Sequence, residues 1–221
     1  MFLLDFFKKK DFKKVLSLDG GGVRALAAVI FLKQLEKETG RSVFDTFDFF
    51  MGVSAGGLNA LHFTINKTSA EKLEDFWTND NLAMSMQKSF WGQAIFLNSK
   101  PKYNNESRTA LLRDYFENKL IAHSDKPVSV LAYDVEKRKP RLISSYDDSN
   151  ISVISAINAT SAAPLYYPTV KIEDGSWLID GGVVANNPSL IGYNEARNYF
   201  KEKVKNKTIK HLKSIILKDQ S

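Results

Sequence analysis

The chain has 221 residues, 43% of them hydrophobic, which suits one compact domain with a sizeable buried core better than two. The net charge of +6 sits mainly at the ends, with five lysines in the first fourteen residues and seven from Lys201 to Lys218. Such ends fit an anionic partner, nucleic acid or a phospholipid surface, and fit equally two solvated tails. There is no cysteine, which excludes disulfides and thiolate metal sites.

The segment Met1–Lys10 runs from apolar to basic, the reverse of a secretory signal. No stretch approaches the roughly 18–20 apolar residues of a membrane span. Phe2, Leu3, Phe6 and Phe7 either insert at a bilayer interface, with the lysines at headgroups, or pack on the domain. Residues 1–14 are therefore set apart from a domain over 15–221.

Val15–Leu18 reads as a buried strand, followed by three glycines and a helix over Val23–Lys37 with Gly40 as its C-cap. A second unit repeats the pattern: a strand over Phe47–Val53, small residues, and a helix over Leu58–Ile65. Two strand-turn-helix units in succession imply a parallel sheet with helical crossovers, hence an α/β core. Residues 68–120 read as helices (Ala70–Trp77, Leu82–Lys88, Arg108–Leu120), with an unassigned aromatic stretch around Trp91 and Tyr103. Strands follow at Val128–Tyr133 and Arg141–Ser145, then a short helix over Ile151–Ile157. Val170–Ile172 and Trp177–Ile179 form a hairpin signal around Asp174-Gly175. Asn186-Asn187-Pro188 opens a helix over Ser189–Phe200, and Leu212–Leu217 is a last strand.

Three turns carry chemistry. Gly52-Val-Ser54-Ala-Gly56 is a G-x-S-x-G at a strand-to-helix turn, where a nucleophile needs a strained backbone and small neighbours. An ordinary N-cap serine is the other reading of Ser54. Asp19-Gly20-Gly21-Gly22-Val23-Arg24 can turn successive N–H groups toward one anion, a phosphate or an oxyanion. Ala25 breaks the dinucleotide fingerprint and no Gly-Lys-Ser/Thr follows, so the oxyanion is the better use. Arg24 anchors this loop, meets a substrate phosphate, or sits in an ordinary surface salt bridge. Asp180-Gly181-Gly182 ends an apolar strand, placing Asp180 in a turn or facing a site.

These three motifs in this order, with Ala159-Thr-Ser-Ala-Ala-Pro164 and Asp180-Gly-Gly-Val-Val-Ala-Asn-Asn-Pro188, resemble the patatin-like phospholipase family. The resemblance implies a three-layer α/β fold with a mostly parallel central sheet flanked by helices. It implies Ser54 as nucleophile, Asp180 as its base, and Gly20, Gly21 and Gly22 as the oxyanion hole. It implies phospholipid or other acyl-glycerolipid substrates, no metal and no cofactor. Two departures stand out: Ala25 replaces the family's glycine, and the family's domains continue further past Asp-Gly-Gly. The region after His211 is then a shortened last strand or a truncated end.

Two rival readings remain. The order Ser54, Asp180, His211 also fits an α/β-hydrolase triad, with weaker claims from His62 and His123. A non-catalytic lipid- or partner-binding module on a hydrolase fold is the other. No nucleic-acid recognition motif is present. The expectation is a cytoplasmic or peripheral membrane protein contacting an anionic surface.

Overall fold

A computed structural model of the chain describes residues 13–88, 101–203 and 212–217. The readings of residues 1–12, of Trp91 and of His211, and most of the lysine-rich tail, lie outside them. Strand β1 (Lys13–Leu18) begins two residues earlier than the expected domain boundary. Helix α1 (Ala25–Thr39) follows a single 3-10 turn over Gly22–Arg24 and ends at Gly40, whose left-handed φ of 65° closes it. A short α2 (Val43–Thr46) leads to β2 (Phe49–Val53) and α3 (Ala55–Ile65).

Next come α4 (Ala70–Glu74), α5 (Asn79–Ser85) and α6 (Glu106–Phe116). The expected helix to Leu120 stops at Phe116, because Glu117 takes a φ of 51°. Strands β3 (Val128–Asp134) and β4 (Lys139–Ser144) precede α7 (Val153–Thr160). The hairpin is β5 (Val170–Lys171) with β6 (Trp177–Asp180), and a turn, α8 (Gly182–Ala185), precedes α9 (Ser189–Lys203). The last strand is β7 (Leu212–Leu217).

Seven strands form one sheet in the order β5-β6-β3-β2-β1-β7, with β4 paired to β3 off this path. The four strands β7, β1, β2 and β3 are parallel, and β4, β5 and β6 join antiparallel. Parallel strands buried on both faces read as continuous apolar runs, as Phe49–Val53 does. Alternate residues go to opposite layers. Leu16, Phe50 and Val130 join the large core with α1, α3 and α7, while Val15, Phe49, Met51, Val53 and Leu131 pack against α9 through Ala196 and Phe200. Each fully buried side chain of this size stabilises by about 1.5–3 kcal/mol. The result is the three-layer α/β arrangement that the family resemblance implies. Among the described residues no helix is long and apolar enough to cross a membrane.

The register around β3 decides where the chemistry falls. Strand β4 occupies one edge of β3 over Ser129–Asp134, so β2 and β6 share the other. There β2 ends with Val53 opposite Leu131, and β6 ends with Asp180 opposite Ala132. The two strands run toward each other, so their C-terminal ends meet at the Leu131–Ala132 step.

Candidate active site

Ser54 follows β2 directly, with φ 55° and ψ −128°, a backbone that residues other than glycine rarely adopt. Its neighbours explain how the turn holds. A Cβ on Gly52 would lie 2.5 Å from the Gly56 carbonyl, and one on Gly56 would lie 2.4 Å from the Asp19 carbonyl. Both positions therefore demand glycine, and the elbow packs directly against the end of β1. Helix α3 starts at the next residue, so its positive end faces the serine.

The side chains of Ser54 and Asp180 meet: Ser54 Oγ donates to Asp180 Oδ2 at 2.7 Å, across 126 residues of sequence. The other carboxylate oxygen accepts from the Gly182 amide at 2.7 Å. Asp180 is 5% exposed, and burial raises its pKa above the usual carboxylate value against the opposing pull of Gly182, Ser54 and Arg108. A carboxyl held in this way is a stronger base than an exposed one. The direct contact leaves no room for an imidazole between the two groups.

The glycine loop lies beside them: a Cβ on Gly20 would be 3.3 Å from Ser54 Cβ. Of the three glycines expected to form the oxyanion hole, Gly20 has an amide partner within the fold. The Gly20 amide donates to the Asn186 carbonyl at 2.9 Å, and Asn186 Nδ2 donates back to Gly20 O at 2.9 Å. Gly20 is thus spent on tying the loop to the Asp180 segment, and the amides of Gly21 and Gly22 are the ones without a backbone acceptor among the described residues. Gly22 takes a φ of 57°, a left-handed backbone that favours glycine. Asn187 strengthens the same tie by donating to Asp19 Oδ2 at 3.1 Å. Arg24 is exposed, and its Nε makes a long 3.5 Å bond to Gly21 O.

Of the histidines, His62 is buried among Phe76, Tyr115 and Phe116, and burial pushes its pKa down to about 3. His123 accepts from the Leu120 amide at 3.2 Å within its own turn. Neither hydrogen-bonds Ser54 or Asp180. No group of three or more His, Cys, Asp or Glu side chains fit to hold a metal occurs among the described residues.

Thr160, Arg108 and Asn186 carry contacts at this site that the sequence reading did not assign. Thr160 Oγ1 accepts from the Ser54 amide at 3.0 Å, and Arg108 is buried beneath the same segment. The signal for Thr160 and Asn186 lay in the stretches Ala159–Pro164 and Asn186–Pro188, whose residue types alone do not state a role, and Arg108 carried none.

A strained serine elbow bonded to a buried aspartate, on an α/β sheet beside a glycine-rich loop, defines a serine-elbow α/β domain. The family model described as patatin-like phospholipase matches residues 16–192, and the chain belongs to that family. It is 32% identical over 205 residues to patatin-like protein 4 of Arabidopsis thaliana, covering 80% of this chain and 50% of that protein. It is 29% identical over 207 residues to the cGAMP-activated phospholipase of Vibrio cholerae, covering 84% of this chain and 58% of that one. The chain thus spans a little over half the length of these curated relatives. Among solved structures it resembles VipD from Legionella pneumophila, with a TM-score of 0.49 and 13% identity over 80% of this chain and 46% of that one.

Proposed function

We propose that the chain is a lipid acyl hydrolase that cleaves fatty acyl esters of phospholipids or related glycerolipids through a Ser54–Asp180 dyad. The observation that carries this reading is the 2.7 Å bond from Ser54 Oγ to Asp180 Oδ2. In the first step Ser54 Oγ attacks the ester carbonyl carbon while its proton passes to Asp180 Oδ2. The Gly182 amide keeps the opposite oxygen occupied, which leaves Oδ2 as the proton acceptor. The amides of Gly21 and Gly22, with the start of α3, face the oxyanion of the tetrahedral intermediate. Collapse breaks the acyl–oxygen bond, and the leaving alcohol takes the proton from Asp180. Water then attacks the acyl-serine with Asp180 again as base, releasing the fatty acid and restoring Ser54.

An aspartate has a reference pKa of about 3.9 and is a weak base in water. Burial of Asp180 narrows that deficit, and the nest must supply the rest. Val23, beside the nest, and Val183 and Val184, beside Asp180, are exposed and apolar. They supply a lipid-compatible rim, and the basic chain ends suit peripheral contact with an anionic surface.

A serine-reactive fluorophosphonate probe and a soluble acyl ester test the reading on wild type, Ser54→Ala and Asp180→Asn. Labelling at Ser54 and hydrolysis that both disappear in Ser54→Ala are expected. Failure of the well-folded wild type to label or hydrolyse would instead favour a lipid-binding module without chemistry.

A further inference from the structure

The stretch Ala159–Pro164 takes no part in the dyad chemistry, yet it touches both of its members. Thr160 closes α7 and is fully buried. Its hydroxyl accepts the Ser54 amide at 3.0 Å and donates its own hydrogen to the Leu131 carbonyl. A hydroxyl has one hydrogen to give, so the donation to Leu131 fixes it as the acceptor toward Ser54. The Thr160 carbonyl accepts from the Gly181 amide at 3.2 Å, and two residues on the Ala162 carbonyl accepts from the Asp180 amide at 3.0 Å. The Thr160 methyl lies where a Cβ on Gly57 would be 2.9 Å away, so the side chain has little freedom to rotate.

Leu131 is the residue opposite Val53, at the step where β2 gives way to β6. Thr160 therefore joins three things at one point: the strained amide of Ser54, the carbonyl of the strand both partners pair with, and the turn after Asp180. A Ser54 backbone at φ 55° persists only where its surroundings fix it.

Arg108 holds this segment from below. Its Nη1 donates to Ser161 O and Ser161 Oγ, each at 3.2 Å, and its Nη2 to Asn158 O at 3.4 Å and Asn105 Oδ1 at 2.8 Å. The guanidinium also stacks on Tyr167, 3.9 Å from the ring centroid. A cation on the last carbonyls of a helix opposes the negative end of its dipole. Arg108 also lies within electrostatic reach of Asp180, and its hydrogen bonds go to the end of α7 and its neighbours.

We propose that Thr160 is a positioning residue for the Ser54–Asp180 pair, its hydroxyl locking the serine elbow to β3 while Arg108 clamps the helix end that carries it. The inference rests on the dyad reading above. Thr160→Val keeps the shape and removes only the hydroxyl, whereas Thr160→Ser keeps the hydroxyl.

The test compares kcat and KM on a short-chain nitrophenyl ester for wild type, Thr160→Val, Thr160→Ser, Arg108→Lys and Ser54→Ala, with thermal melts as a check of folding. Misplacing a reacting group by about 1 Å can cost on the order of 100-fold, so a loss of about that size in kcat at nearly constant KM is expected for Thr160→Val. Thr160→Ser should recover most of it, and Arg108→Lys should lose a smaller factor, again in kcat. A folded Thr160→Val with wild-type kcat overturns the proposal, as does equal loss in Thr160→Ser. If Thr160→Val does not fold, Arg108→Lys decides: unchanged kcat overturns the proposal, and a kcat loss at constant KM supports it. Activity retained in Ser54→Ala sinks the dyad reading and the positioning role with it, while an inactive Ser54→Ala beside a fully active Thr160→Val sinks the positioning role alone.

Discussion

Two buried aspartates end neighbouring strands and are poised in opposite directions. Asp134 closes β3 and Asp180 closes β6, at 1% and 5% exposure. Asp134 Oδ1 accepts from the amides of Glu136 and Lys137 at 3.1 and 2.9 Å, and Lys137 Nζ lies 3.4 Å from Oδ2. The Lys137 amide, foremost among these donors, holds its carboxyl below the usual range despite burial. Asp180 has one amide and one hydroxyl, and there burial prevails and raises the pKa. Burial alone does not make a base. The number and charge of donors facing the carboxylate decide which way it moves.

The sharpest way to break this contrast is to neutralise each aspartate without changing its shape. Asp180→Asn should cost about 10⁴-fold in kcat on a soluble ester, the scale seen when an orienting or proton-accepting carboxylate is lost from a serine hydrolase. Asp134→Asn should leave kcat within a few-fold and lower Tm by a few degrees instead. Equal loss of activity in both would mean that the strand ends matter only structurally. Next in size is Gly181→Ala. A Cβ there would sit 2.2 Å from the Leu131 carbonyl, at the junction of β2 and β6. Overpacking at such a site typically costs about 1–3 kcal/mol, so a lower Tm and a matching loss of kcat should appear together. A fully active Gly181→Ala would show that the junction yields without disturbing the pair.

Much of this was legible beforehand. The alternation of strands expected at Val15–Leu18 and Phe47–Val53 with helical spacings predicted the parallel core, though the second strand starts only at Phe49, and Ser54 stands on the strand-to-helix turn its glycines implied. The meeting of Ser54 with Asp180 was not legible from spacing. It depends on β6 joining β3 antiparallel one step past β2, a register no local pattern encodes. The family resemblance supplied that pairing instead. Three glycines suggested three oxyanion donors, but the Gly20 amide is taken by a backbone carbonyl 166 positions away, which a motif cannot reveal. Thr160 and Arg108 were hidden for the same reason, since a threonine at a helix end and an arginine inside a helix each have common local explanations.

The opposed pKa shifts also give opposed stability profiles. Asp180 has its folded pKa raised, so its protonated form is favoured by folding. Its contribution is fully present below the unfolded pKa and is lost as pH rises through the folded value. Asp134 is lowered, so its contribution is present above the unfolded pKa and is lost as pH falls through the folded value. At pH 7, Asp180→Asn should therefore hold or raise Tm while Asp134→Asn lowers it, and differential scanning calorimetry would show the pair diverging. Because the base must be ionised, kcat/KM should fall on the acid side at a pH above the reference aspartate value. An acid limb at or below that value would contradict a raised Asp180.

The smallest expected effect concerns a buried titratable group away from the dyad. His62 is neutral in the fold, with its pKa pushed down to about 3 from 6.5. Between those values the unfolded chain binds the extra proton, so stability falls as pH drops through the window. His62→Leu removes that proton uptake while keeping an apolar side chain among Phe76, Tyr115 and Phe116. It should flatten the loss of Tm between pH 6.5 and 4 and leave kcat on the soluble ester unchanged. A large drop in kcat would instead give this imidazole a part in the chemistry. That outcome would undo the assignment of base function to Asp180 alone, since His62 hydrogen-bonds neither member of the pair and could reach them only through a rearranged α3.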